Sequence, residues 1–357
     1  MSKFRSNGPI RLGRRDVLMR GGAGVLGTLI AASTFDIAGA QTPSADAVMA
    51  NLRSIKLGTE NPNYATQWTF RLVQALGYLE EVGMDELEVV LSEEYVPGLI
   101  GGSLDIAHGD VSTFLSAAVQ SGLPVKMISI HRDSEWWIMG VAPGIETVDD
   151  LRGKSITGGN LAGRNTYIMR EVLKKMGLNP DTDVQMVPSS GGSDSRLGAL
   201  LAGQVQGASL FPRHEAPLVA AGGKFIFQEL QKLPQEGFAV MGDWLEDNAD
   251  TVRAWLRADL KARQWLHDPA NKEQAYQVMV DLGYEIPDSF RALYEVEVSQ
   301  LSKDAGFESA QSMDDFVAEL IQTEDVPAGT QWRDHFDLTY LWEAQDALGI
   351  ARRPAAI

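Results

Sequence analysis

Two glycine-bearing stretches hold the residue types suited to gripping a small anion. In Gly158-Gly159-Asn160-Leu161-Ala162-Gly163-Arg164-Asn165-Thr166, the amides of Asn160 and Asn165 and the guanidinium of Arg164 stand at the start of a helical pattern. In Ser189-Ser190-Gly191-Gly192-Ser193, the hydroxyls of Ser189 and Ser190 lead into another. A helix N-terminus presents unpaired N–H groups and the positive end of a dipole, which suits carboxylate, sulfonate or phosphate. Each stretch also reads as a capped helix with an exposed loop. Neither has the G-x-G-x-x-G order, so no dinucleotide site is implied.

Further candidates follow strand-like segments. Asn61, Asn63 and Tyr64 come after the first, and His108-Gly109-Asp110 after a later one. His108 can donate or accept toward a ligand, or serve as a structural histidine. Glu60 and Asp110 run against an anionic ligand: pointing inward, either would prefer an amine or hydroxyl, or would pair with Arg164. His131 and Arg132 fall near an expected crossover, where a cation contacts ligand or locks a hinge. Arg213 and His214, in Phe211-Pro212-Arg213-His214, are candidates at the end of another strand. In the extended pair Trp136-Trp137, neighbouring side chains face opposite ways, so one packs in a core while the other reaches a cleft to stack on a ring; Trp136 is the ligand candidate. Trp255 and Trp265, at helical spacing, read as core.

Catalysis has little support. There are no cysteines, which removes disulfides, thiolate chemistry, Cys-ligated zinc and iron–sulfur clusters. The five histidines show no HxxxH spacing, so no metal is expected. Ser189, His214 and Asp194 could be written as a hydrolytic triad, but no G-x-S-x-G elbow accompanies them. No enzyme and no cofactor are expected.

The 357 residues are too many for one ordinary core and suit two domains. The formal charge is −17, and residues 1–40 contribute six basic groups against Asp16 and Asp36, so the remainder stands at −21. Such a body repels phosphate backbones and anionic lipid, and nucleic acid is not an expected partner. Arg14-Arg15, the weakly apolar run Gly21 to Ala32 and Ala38-Gly39-Ala40 have the layout of a secretory signal. The run of about twelve residues is short of the roughly 20 that span a bilayer. The arginine pair resembles a twin-arginine signal, with an ordinary secretory signal the alternative. Cleavage after Ala40 would leave a soluble periplasmic chain beginning at Gln41.

Beyond Asn51, strand-like and helix-like segments alternate. Strands are expected at Ile55–Gly58, Leu87–Leu91, Leu104–His108, Val125–His131, Ser155–Thr157, Asp183–Val187, Val205–Leu210, Lys224–Phe227 and Phe238–Gly242. Helices are expected at Tyr64–Val82, Val111–Gln120, Thr166–Met176 and from Ser193 to about Ala202, with five more helical segments after Asp243. This is an α/β pattern with a parallel, doubly wound sheet, in which ligands sit beyond the carboxyl ends of strands. The simplest architecture has lobe one from about 52–132 plus 236–357 and lobe two from about 137–230. Two strands would cross between them as a double hinge.

Three segments carry a resemblance. Gly101-Gly102-Ser103-Leu104-Asp105-Ile106-Ala107 resembles a segment of the periplasmic substrate-binding proteins of ABC importers for sulfonates, taurine, nitrate and thiamine precursors. Val148-Asp149-Asp150-Leu151-Arg152-Gly153-Lys154 looks like their entry into the second lobe. Leu200 to Ala208 is similar to a third segment, with Gln206 in place of the usual aspartate. Phe211-Pro212 resembles the family's aromatic-Pro cleft segment. The resemblance covers about 45–270 and implies the two-lobed type II binding-protein fold with a helical C-terminal region. It also implies a monomer that captures a small, anionic or aromatic organic molecule between its lobes and delivers it to a membrane permease. The alternatives are a periplasmic ligand sensor or cofactor-binding protein of the same fold, and a thiamine-pyrimidine-synthase-like enzyme, whose cysteine-rich motif is missing here.

Overall fold

The computed structural model describes residues 48–59, 64–161, 163–284, 286 and 288–357. The export signal expected at 1–40, and Asn61 and Asn63, lie outside the described residues. Eight strands form one sheet: β1 (Ser54–Thr59), β2 (Glu86–Leu91), β3 (Ile106–Asp110), β4 (Val125–Val141), β5 (Ser155–Gly159), β6 (Gln185–Pro188), β7 (Gly207–Ser209) and β8 (Lys224–Met241), in the order β2-β1-β3-β8-β4-β7-β5-β6. The outer pairs β1–β2, β1–β3, β5–β6 and β5–β7 are parallel. The three pairs made by β4 and β8 with β3, β7 and each other are antiparallel.

The helices preceding β8 are α1 (Tyr64–Ala75), α2 (Tyr78–Glu81), α3 (Tyr95–Ile100), α4 (Val111–Ser121), α5 (Arg164–Lys175), α6 (Ser193–Leu201) and α7 (Glu215–Ala220). After it come α8 (Gly242–Asp247), α9 (Ala249–Leu266), α10 (Lys272–Asp281), α11 (Asp288–Arg291), α12 (Tyr294–Val298), α13 (Ala310–Gln322) and α14 (Thr339–Ala347). None of the described helices is long and apolar enough to cross a membrane.

The apolar residues gather into three clusters. The first takes Ile55, Leu57, Phe70, Ile106, Met127 and Ile130 from the N-terminal part and Phe238, Trp255, Leu260, Phe316 and Leu341 from the C-terminal part. The others share β4 by its twofold period: Trp137, Met139 and Val141 enter one with Ile156, Met169 and Leu173, while Ile138 and Ala142 enter the other with Leu200, Leu210 and Leu218. Trp136 packs on the face opposite Trp137, against this last cluster. Strands β4 and β8 thus run from the first cluster into the other two.

Three expectations need correction. The two strands read at Lys224–Phe227 and Phe238–Gly242 are one strand, β8. Its middle, Gln228 to Gln235, buries little and shows no apolar period, because it is held by the β4 ladder; Pro234 sits at a register shift between Arg132 and Ser134. The single helix read over Tyr64–Val82 breaks at Gly77, whose φ of 79° a helix cannot continue. Among the described residues, seven α-helices stand beyond β8, where five were expected; polar α11 and α12 lack an apolar stripe that would reveal them.

Candidate functional site

The strand ends meet where β4 and β8 pair between the apolar clusters. There β4 carries His131, Arg132, Asp133, Ser134 and Glu135, and β8 carries Lys232 and Glu236, with Arg132 opposite Glu236 in register. Thr59 ends β1, and His108 and Asp110 end β3. The start of α5 lies tight against the end of β5: a Cβ on Gly158 would fall 2.4 Å from the Thr166 Cα, so only glycine allows this approach. Both α5 and α6 are capped by glycine, Gly163 and Gly192, with no side-chain hydrogen bond at either cap.

Arg164, at the start of α5, is held by two carboxylates. Its Nη1 and Nη2 donate to the two carboxylate oxygens of Glu135 at 3.1 and 2.7 Å. Its Nε lies 3.0 Å from Glu319 Oε1 on α13, and its guanidinium sits over the Phe316 ring. Burial opposes its charge, but Glu135 and Glu319 more than offset that and hold its pKa above the ordinary value. Burial pushes Glu319 up to about 7, with Arg164 opposing and Glu135 reinforcing the rise.

Arg132 donates to Gln300 and lies 3.5 Å from Glu236 Oε1. Burial raises the Glu236 pKa, but Arg132 and then His108 outweigh it and keep the group low. His108 is 2% exposed; its Nδ1 lies 3.1 Å from Thr59 Oγ1 and its Nε2 lies 3.5 Å from Glu236 Oε2. Asp110 adds its negative charge to both Arg132 and Arg164.

A second ionic cluster borders the same strands. Arg263, fully buried on α9, donates to Asp259 at 2.6 Å, to the carbonyls of Ser302 and His131, and to His131 Nδ1 at 3.0 Å. Near the C-terminus, Arg353 donates to Asp133 and Asp304. Lys232 donates to Ser134 Oγ at 2.9 Å and lies 3.9 Å from Asp133.

The remaining sequence candidates are more scattered. Tyr64 opens α1. Asn160 is exposed, and its carbonyl accepts from the Thr166 hydroxyl; Asn165 is half-buried in the first turn of α5. Ser189 accepts from Thr157 Oγ1 at 3.2 Å, while Ser190 is exposed. Arg213 donates to Ser193 Oγ at 2.6 Å. His214 Nδ1 accepts from the Phe211 N–H at 3.0 Å, so its ring proton sits on Nε2, which faces Asp194 at 2.9 Å. Burial holds His214 below its ordinary pKa despite Asp194, so it is neutral at pH 7. With both nitrogens committed, it cannot act as base for Ser189.

The residues that sequence reasoning missed are the carboxylates. Glu135, Glu236 and Glu319 are all at least nine-tenths buried, and half-buried Glu297 on α12 has its pKa raised by burial. Glu319 had a readable signal: it lies three residues after Phe316, on the apolar face of α13 that carries Met313, Phe316 and Leu320. His108, His131 and Glu236 each bring a ligand-type atom within 4.8 Å of the others. The guanidinium on His131 Nδ1 makes that set a poor fit for a metal, because it forces the proton onto Nε2.

The chain resembles several known proteins. A family model described as the NMT1-like family matches residues 147–280. The nitrate/nitrite binding protein NrtA of Nostoc sp. is 22% identical over 284 residues, covering 71% of this chain; the chain spans 62% of that relative's length. The periplasmic sulfonate-binding protein SsuA of a sulfonate ABC transporter from Methylobacillus flagellatus KT superposes with a TM-score of 0.65 at 17% identity, over 85% of this chain and 96% of that one. A DszB mutant in complex with biphenyl-2-sulfinic acid superposes with a TM-score of 0.57 at 15% identity, over 83% and 99%. The fold is therefore that of the periplasmic binding proteins. Within it, the chain is similar to the sulfonate- and nitrate-binding proteins of ABC importers, as the three sequence motifs implied.

Proposed function

We propose that this chain is the solute-binding component of an ABC import system, exported to the periplasm. There it captures one small molecule as a monomer, delivers it to a membrane permease and catalyses nothing. The observation that carries the reading is the long β4–β8 ribbon. It leads from the first apolar cluster into the other two, with polar strand ends converging on it and Arg164 reaching Glu319 and Phe316 across elements of different clusters. In this reading the first cluster is lobe one, residues 52–132 and 236–357, and the other two are lobe two, 137–230. The ribbon is the hinge, and closure traps the solute.

The expectation of an anionic or aromatic solute leaned on Arg164 and Trp136. Arg164 is held by two carboxylates and Trp136 by an apolar cluster. The relatives named for nitrate and sulfonate favour an oxyanion, and the glycine-capped starts of α5 and α6 remain its natural seat.

A thermal-shift screen of small charged solutes against the mature chain, followed by small-angle scattering with any stabilising solute, tests the reading. A rise in melting temperature by ligand linkage, a smaller radius of gyration and recovery of the solute unchanged are expected. Conversion of the solute into product would overturn it.

A further inference from the structure

We propose that Arg196 supplies the charge that grips the solute, taking a compact oxyanion headgroup at the carboxyl ends of β5 and β7; this rests on the solute-binding reading above. Two arginines are buried among the described residues. Arg263 is answered by Asp259 at 2.6 Å. Arg196, on α6 and 4% exposed, makes no ion pair among the described residues. The acid nearest to it in sequence, Asp194, is exposed and faces His214 and Arg213 instead. The Arg196 side chain makes one hydrogen bond, from Nε to the Ser209 carbonyl at 2.8 Å, so Nη1 and Nη2 have no partner among the described residues. A buried cation with no counter-ion is costly, and an anion held by both nitrogens removes that cost.

The second observation is where that fork lies. Gly159 ends β5 with a φ of 114°, and Arg196 Nη1 lies 3.4 Å from where its Cβ would stand. Chain neighbours aside, no other described atom comes within 4 Å of that point, so the approach to Nη1 is clear. Gly192, the cap of α6, is clear in the same way. Side chains lean toward the N-terminus of their helix, so Arg196 and the first N–H groups of α6 act on the same space.

Hydroxyl groups flank the same strand end. Thr157 Oγ1 accepts from the Gly159 N–H and donates to Ser189 Oγ, each at 3.2 Å, which leaves the half-buried Ser189 hydroxyl its own proton to donate. The Ser189 N–H in turn donates to the Gly159 carbonyl at 2.9 Å. Beyond Gly159, α5 reaches Glu319 and Phe316 on α13 through Arg164, so this end of β5 faces lobe one. Arg164 and Arg132 are themselves tied to carboxylates, which an oxyanion would have to displace. Burial, then the charge of Arg213, hold the Arg196 pKa below the ordinary arginine value, in keeping with a cation that lacks a counter-ion.

Titration calorimetry of the mature chain with butanesulfonate, butanoate and nitrate, and with butylammonium as the opposite charge, tests the proposal. At least one oxyanion binds and butylammonium does not. Arg196→Met weakens that oxyanion by at least about thirtyfold, the loss expected on removing one partner of a buried charge pair. Arg196→Lys keeps the charge but loses the planar fork, and weakens it by about tenfold. Circular dichroism checks both variants; if Arg196→Met does not fold, Arg196→Lys decides. Undiminished oxyanion affinity in a folded variant, or no oxyanion bound by the wild-type chain, overturns the role of Arg196 and leaves the solute-binding reading standing for other solutes. Chemical conversion of the bound probe would instead overturn that reading.

Discussion

Two buried ionic clusters flank the β4–β8 ribbon, and they are built on opposite principles. In the first, Arg263, Arg353 and Lys232 meet Asp259, Asp133 and Asp304, and Arg263 also holds two backbone carbonyls. Charges balance there, and each guanidinium is hydrogen-bonded. In the second, five carboxylates share Arg132 and Arg164. A buried ion pair contributes little to net stability but is expensive to break, so a balanced cluster holds geometry. In the other, burial works against the carboxylates and raises the pKa of Glu297 and Glu319.

If the first cluster is structural, breaking it should cost stability above all. Arg263→Met leaves the fully buried Asp259 without its partner and two carbonyls without their donor. A loss of about 4–5 kcal/mol is expected in urea unfolding, near the upper end for a broken buried pair. Adding Asp259→Leu should return part of that, because the uncompensated charge goes with it; no recovery would mean that the carbonyl bonds, and not the ion pair, carry the cost.

Arg353→Met should cost less, about 3 kcal/mol, because its side chain keeps 25% exposure while Asp133 is almost closed off. Arg353 comes from the C-terminal tail, yet it reaches Asp133 on β4, 220 residues earlier in the chain. A loss below about 1 kcal/mol would show that Lys232 alone suffices for Asp133 and would remove the tail from the balanced cluster.

The second cluster should announce itself through pH. Burial lifts Glu319 from an unfolded value of 4.5 to about 7. The native state then binds more protons than the unfolded chain between these values, so this group's contribution is full below pH 4.5 and is lost as pH rises through 7. The fall is on the order of 2–3 kcal/mol. Glu319→Gln removes that slope: the variant matches wild type near pH 4.5 and exceeds it in stability at pH 8, as urea midpoints across the range would read. Parallel pH profiles for the two proteins would show that Arg164 already balances Glu319.

The contrast between the clusters also marks what the sequence could tell. Alternation of strands and helices, the opposite faces of Trp136 and Trp137, and the glycine-led starts of α5 and α6 are local patterns, and they were legible. Continuity of β8 through Gln228 to Gln235 was not, because that stretch is held by a ladder and not by an apolar face. The site suffered for the same reason. Arg164 was legible as a cation at a helix start, but its partners Glu135 and Glu319 lie 29 residues before it and 155 after it, on β4 and α13. Only folding brings them together. Of the carboxylates near Arg132 and Arg164, Asp110 was the one the sequence singled out, together with Glu60, which lies outside the described residues.

The smallest expected effect is the sharpest test of how the clusters divide. His108, His131 and Glu236 would make a metal site by proximity, with ligand-type atoms within 4.8 Å of one another. A metal there would add positive charge beside the carboxylates. The donor set argues otherwise. Arg263 Nη2 lies 3.0 Å from His131 Nδ1, and a guanidinium can only donate, so Nδ1 must accept and the ring proton must sit on Nε2. Neither nitrogen is then available to a cation. A metal-bound histidine normally gives its other N–H to an acceptor, and here the neighbour is the reverse. Zinc, nickel or a chelator added to the mature chain should therefore shift the melting temperature by less than about 1 °C, a few tenths of a kcal/mol. A rise with zinc that disappears in His108→Ala would show that the balanced cluster yields Arg263 to let the metal in. The two clusters would then be joined through His131 and Glu236.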